Sequence, residues 1–253
     1  MTAPARPAEL FFVEEGDGSP VLFLHGLAGD RGVFAAQAAD LADGFRCIRV
    51  DARGHGRSAV PPAPWSIADF ASDFAALLDR LEVDAAHVVG HSAGGVFAMA
   101  MALDHPDRVK SLFLVGTSAE LKREIAEKSY LHWAGLAEQS GLESALKGAG
   151  LPVPDGVRPE HGEGFARSCR AIVRMVDEPL ALRLGEIRVP TAFVVGEKDP
   201  FGPGGSVKAS RAVPGADLQI LEGQGHYPFR REVEDFNRRL RSFLETVEGR
   251  ERV

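Results

Sequence analysis

The feature that most restricts this chain is Gly90-His-Ser-Ala-Gly94, which stands between an apolar run ending at Val89 and a helix-forming stretch over 94–103. A strand that passes into a helix through Gly-x-Ser-x-Gly turns sharply, and the two glycines keep side chains out of the place where strand and helix approach. The serine hydroxyl is then set out above the end of the strand. The same turn commits its surroundings to a layered architecture of strands and helices.

The rest of the sequence keeps that rhythm. Apolar runs over 21–24, 47–50, 87–89, 112–115 and 191–195 read as strands, and 218–221 is a shorter candidate. Runs that are apolar throughout, without alternation, suit a parallel sheet covered on both faces. Between them, Ile67, Phe70, Phe74, Leu77, Leu78 and Leu81 recur at helical spacing and give one buried face. Ser66, with Asp69 three residues on, is placed to cap that helix. Residues 94–103 and 233–247 read as further helices, the last turning Phe236, Leu240, Phe243 and Leu244 inward. The alternation predicts an α/β fold with a doubly wound, mostly parallel sheet.

One stretch breaks the pattern. From 119 to 187 no strand is legible, only helical segments over 121–139 and 165–176 with a looser part, rich in Gly and Pro, over 148–164. The expected organisation is a core domain made of 1–118 and 188–253, with 119–187 inserted as a helical cap.

A length of 253 residues suits one such domain. The net charge of −7 argues against a nucleic-acid surface, which needs a basic stripe. The arginines at 230, 231, 238, 239 and 241 are interleaved with acidic residues and read as a solvated helix face. No apolar run is long enough to span a membrane, and residues 1–9 lack a secretory pattern. Two cysteines, Cys47 and Cys169, make no disulfide framework, and a cytoplasmic protein is expected.

A serine hydroxyl is a poor nucleophile near neutral pH and needs a base held in place by a third group. Both partners follow Ser92 in the expected order, each after a strand. Asp199 lies in Gly196-Glu-Lys-Asp-Pro200, directly after the run 191–195, and His226 follows the run ending at Leu221. Glu197 and Glu120 are rivals for the role of Asp199. His105, His132, His161, His87 and His91 read as packing or surface histidines; no His-Glu-x-x-His exists, and neither metal nor cofactor is expected. Negative charge developing on a carbonyl oxygen calls for two backbone N–H donors. These are assigned to Ala93, next to the nucleophile, and to Leu27 in His25-Gly26-Leu27, where His25 is expected to brace the loop. Tyr130 and Trp133, three apart and so on one helical face, and Phe165 are candidates to contact substrate. The alternative is that these rings only seal the cap onto the core.

Taken together these residues resemble the α/β-hydrolase family, and most of all its small esterase and enol-lactonase-like members. The likeness runs over essentially the whole chain. It includes Asp51-Ala-Arg-Gly-His-Gly-Arg-Ser58, similar to the family's D-x-R-G-x-G-x-S loop, a structural turn, which makes His55 a poor candidate base. The resemblance implies hydrolysis of a small-molecule ester or lactone through an acyl-enzyme. Relatives using the same triad leave open C–C bond hydrolysis of a vinylogous diketone, perhydrolysis, or a receptor on the hydrolase fold with little turnover. Ser92 in place of Asp at the turn speaks against epoxide or halide chemistry.

Overall fold

The computed structural model describes residues 7–62, 64–151, 153 and 160–249. Seven strands form one sheet: β1 (Phe12–Glu15), β2 (Ser19–Leu24), β3 (Phe45–Val50), β4 (Ala86–His91), β5 (Val109–Val115), β6 (Thr191–Gly196) and β7 (Asp217–Leu221). Their order across the sheet is β1-β3-β2-β4-β5-β6-β7, and every neighbouring pair is parallel except β1 with β3. β4 and β6 are buried at every position, which is why their sequences show no polar alternation. The doubly wound, mostly parallel α/β fold is therefore present. β1 was not among the expected strands. Phe12-Val-Glu-Glu15 is short and half polar, and it is held at the sheet edge by antiparallel pairing with β3. Arg46 and Arg49 of β3 reach Glu14 and Glu15 at 2.6 and 2.8 Å, so its carboxylates are matched across the strands.

Helices cover both faces. On one, α2 (Ile67–Arg80) packs on α3 (Ala93–Asp104), with Phe70 and Phe97 stacked 3.9 Å apart. The capping box at the start of α2 is formed: Asp69 accepts from the Ser66 amide at 2.7 Å, and the Ser66 hydroxyl accepts from that of Asp69. α3 is buried from Ala93 to Leu103, wedged between sheet and α2. On the other face, α1 (Ala35–Leu41) and the helix Val233–Val247 cover Phe23, Val89 and Phe113, with Phe236, Leu240 and Leu244 buried.

Between β5 and β6 the described residues hold only helices. α4 (Arg123–Ile125) runs through a π-helical turn, Ala126–Leu131, into α5 (His132–Ala149), and α6 (Glu160–Val173) follows. α5 breaks at Gly141 (φ 82°, ψ 166°) and is closed by left-handed Gly150, whose successor Leu151 donates back to the Leu146 carbonyl at 2.9 Å. Part of the looser stretch expected over 148–164 is thus helix, since α6 begins at Glu160; residues 152 and 154–159 lie outside the described residues. These helices have an apolar cluster of their own, around Trp133, Leu142, Leu146, Phe165 and Cys169. Among the described residues no helix is long and apolar enough to cross a membrane.

The chain reverses direction across the sheet between β3 and β4, so β2 and β4 become neighbours. Their C-terminal ends flank the crevice where open α/β sheets bind ligands.

Candidate active site

β4 delivers Ser92 to that crevice in a conformation few residues adopt, φ 54° and ψ −118°. Holding a side chain there costs on the order of 1–3 kcal/mol. Three hydrogen bonds fix it: Ser92 donates its amide to the Val115 carbonyl at 2.8 Å, and its own carbonyl accepts from Thr117 Oγ1 at 2.8 Å and the Gly95 amide at 3.0 Å. The flanking glycines are required by contact. A Cβ at Gly90 would lie 2.5 Å from the Gly94 carbonyl oxygen, and one at Gly94 only 2.2 Å from that of Leu24.

The loop after β2 closes against this turn. A Cβ on Gly26 would stand 3.0 Å from the Ser92 Cβ, so glycine lets the two loops meet without displacing either. His25 holds the loop: Nδ1 donates to the Gly26 carbonyl at 2.7 Å, and Nε2 accepts from the Ala52 amide at 3.0 Å. Burial lowers its pKa and keeps it neutral, as that pair of bonds requires. Ala28 also has positive φ, 60°. The amides of Leu27 and Ala93 donate to no group among the described residues.

Asp199 and His226 come together from the ends of β6 and β7. His226 Nδ1 donates to Asp199 Oδ2 at 2.8 Å, both side chains being almost fully buried, while Asp199 Oδ1 accepts from the Phe201 amide at 2.9 Å. With Nδ1 committed to the carboxylate, Nε2 is left as the basic nitrogen. The two loops are tied to each other through the main chain: Lys198 N donates to the Gln224 carbonyl at 2.8 Å and Glu197 N to that of Leu221 at 2.9 Å. The rivals for the acid are engaged elsewhere. Glu197 accepts from the Gly223 amide at 3.0 Å, and Glu120 pairs with Lys208 at 2.7 Å.

Gly116, which sequence reasoning left out, and His91, which it read as a packing histidine, both adjoin the pair. Gly116, at the end of β5 with φ 56°, approaches so closely that a Cβ would lie 3.0 Å from Asp199 Oδ2 and 3.2 Å from His226 Nδ1. A glycine directly after a buried strand on this edge was the available signal. His91 donates Nε2–H to the His226 carbonyl at 2.9 Å, and its ring lies 4.6 Å from that of His226. Burial, and then the neighbouring His226, lower its pKa and hold it neutral. Its place before Ser92 gave no hint of a contact with residue 226.

Three further histidines serve structure. His87 lies at the other end of β4, between Ser111 Oγ at 2.7 Å and Glu248 Oε1 at 2.9 Å. His55 donates to the Arg53 carbonyl, and burial takes its pKa down to about 3. His161 Nε2 donates to the Gly56 carbonyl at 2.8 Å, joining α6 to the 51–58 loop. In that loop Asp51 accepts from the amides of Arg31 and Arg57, and buried Arg53 grips Asp73 at 2.6 and 2.7 Å. Among the described residues no three His, Cys, Asp or Glu side chains form a metal-ligating group.

A cavity of about 560 Å³ opens beside Ser92 and Asp199, walled by Val96, Leu121, Ile125, Tyr130, Ile172 and Met175. A smaller one, about 300 Å³, follows the Gly26–Asp30 loop to His91, Tyr227 and Arg230. Of the three aromatic residues singled out from the sequence, Tyr130 alone contributes to the larger cavity. Trp133 and Phe165 belong to the apolar cluster of the helical segment, 9% and 0% exposed.

Residues 19–141 match the model of the alpha/beta hydrolase fold. The pimeloyl-[acyl-carrier protein] methyl ester esterase of Chromobacterium violaceum is 32% identical over 94% of this chain and 98% of its own length. Among solved structures, the enol-lactonase from Burkholderia xenovorans LB400 superposes with a TM-score of 0.85 at 26% identity, covering 94% of this chain and 96% of its own. A thermophilic esterase from Thermogutta terrifontis gives 0.82, also at 26% identity, over 95% and 94%.

Proposed function

Because the chain belongs to the α/β-hydrolase fold family, we propose that it hydrolyses a small carboxylic ester or lactone through Ser92, His226 and Asp199. The observation that carries the reading is the Asp199–His226 hydrogen bond, 2.8 Å and buried, on the same sheet edge as a serine held at positive φ. The enol-lactonase and esterase neighbours support the substrate class.

His226 Nε2 takes the Ser92 proton as the hydroxyl attacks the carbonyl carbon. The carbonyl oxygen, now negative, is received by the amides of Leu27 and Ala93, each donor contributing roughly 2.7–4 kcal/mol. His226 returns the proton to the leaving alkoxide, and water then opens the acyl-enzyme by the same route. Asp199 fixes the tautomer and stabilises the imidazolium. Residues 119–187 act as a cap, and their inner wall selects the substrate. The reading includes a cytoplasmic location, which two buried, free cysteines suit.

A fluorophosphonate probe tests the assignment. It should label Ser92 in the native protein, and Ser92→Ala should lose both the label and about six orders of magnitude in kcat on short p-nitrophenyl esters. Labelling of a different residue, or turnover surviving in Ser92→Ala, would falsify it.

A further inference from the structure

Tyr130 is a polar side chain on the cavity wall that the proposed chemistry leaves unused. Its ring packs against the apolar clusters of both the sheet domain and the helical segment, 5.2 Å from the Trp133 ring. Its hydroxyl makes no hydrogen bond among the described residues, yet it is not sealed off from the cavity that the residue lines. A phenol hydroxyl with no protein partner on a cavity wall can donate to whatever occupies the cavity. Phenylalanine would fill the same space without that donor. Burial also raises the phenol's pKa above its ordinary range, so the group remains an O–H donor wherever the protein is active.

The backbone gives a second, independent sign. Tyr130 lies in the π-helical turn Ala126–Leu131, a rare insertion that concentrates at functional sites. Tyr130 lines the cavity while its ring still meets that of Trp133 at 5.2 Å, and Trp133, three positions on, packs into the helical segment's own cluster. Around Tyr130 the wall is apolar, with Val96, Leu121, Ile125, Ile172 and Met175. The two lysines on the wall, Lys122 and Lys208, are exposed to solvent, and Lys208 is already paired with Glu120 at 2.7 Å. Among the described residues the side-chain hydroxyls on the wall that make no hydrogen bond, Ser92 apart, are those of Tyr130 and Ser129, and both cations are exposed, so the apolar interior places no cation beside a carboxylate.

We infer that Tyr130 donates a hydrogen bond to an uncharged oxygen on the substrate chain. The preferred substrate is then an apolar ester or lactone carrying a second carbonyl or ether oxygen. This rests on the hydrolase reading above and narrows its substrate.

The experiment measures kcat/KM for p-nitrophenyl hexanoate and each of its mono-oxo isomers, and for hexyl acetate with the matching mono-oxo hexyl acetates. Every ratio of oxo to parent ester is divided by the same ratio for hydroxide hydrolysis, which removes intrinsic reactivity. At least one oxo ester should exceed its parent by about tenfold, and Tyr130→Phe should bring that ratio close to one. The responding series tells whether the acyl or the alcohol half occupies the cavity. A wild-type ratio near one throughout both series overturns the inference without recourse to the variant. So does a preference that survives in Tyr130→Phe. Failure of the hydrolase reading shows itself separately, as absence of labelling at Ser92.

Discussion

Gly116 and Gly141 hold similarly unusual backbones, at φ 56° and 82°, in two regions built on different terms. Around Gly116 everything is specified: a Cβ would meet the Asp199–His226 pair, and the loops there are joined by main-chain hydrogen bonds. Around Gly141 nothing lies within 4 Å of a Cβ, and the residue only breaks α5. The sheet edge holds its strain with backbone contacts that a side-chain substitution hardly alters. The helical segment has its own apolar cluster, and at Gly141 it relieves its strain into open space. Fixed chemistry suits the first, and variable selectivity the second.

The sharpest way to break this contrast is to disturb the charge at the rigid edge. Asp199→Asn should cost on the order of 10⁴ in kcat with the fold retained, whereas Glu197→Gln and Glu120→Gln should stay within about tenfold of wild type. Steady-state kinetics on one short ester decides it, and a Glu120→Gln loss as large as that of Asp199→Asn would move the acid to another strand.

The two glycines supply the next test. Gly116→Ala should lower kcat by about 10², because the methyl displaces the Asp–His pair from its productive geometry. Gly141→Ala should cost only the backbone strain, about 1–3 kcal/mol of stability, with kcat kept. Equal kinetic losses in both would mean that the two regions are not mechanically distinct.

A smaller effect comes from acid. His25, His55 and His91 are buried in the sheet domain with lowered pKa values, whereas the unfolded chain titrates near 6.5. Below that pH the unfolded state binds more protons, so stability falls as pH falls. With a folded value of about 3, His55 by itself should withdraw about 2 kcal/mol between pH 7.5 and 5. Glu248, lowered to about 2 and bonded to Ser19, His87 and Lys110, adds its loss only below the ordinary carboxylate range. Urea unfolding at the two pH values measures the first effect; identical free energies would mean that the buried imidazoles are charged.

Much of the rigid edge was legible in the sequence because its constraints are local. Gly90, Ser92 and Gly94 lie within one turn, Ser66 and Asp69 within one cap, and Asp199 and His226 each directly follow a strand. β1 was missed because Phe12–Glu15 becomes a strand only by pairing with β3, and the start of α6 because it lies upstream of the apolar residues that marked the helix. Tyr130 and Trp133 read as one helical face, and their rings do meet at 5.2 Å, but only Tyr130 also lines the cavity.

By itself the sequence determined the order of strands and helices, the turn that exposes Ser92, and the residue types available as acid and base. These follow from spacing over a few residues, where propensity and sterics act. Only the tertiary structure decided that Gly116 abuts the Asp199–His226 pair, that His91 steadies residue 226, and that Tyr130 reaches the cavity while Trp133 does not. Each is set by contacts between segments distant in the chain. Close packing fixes such contacts to fractions of an ångström, and no local pattern encodes them.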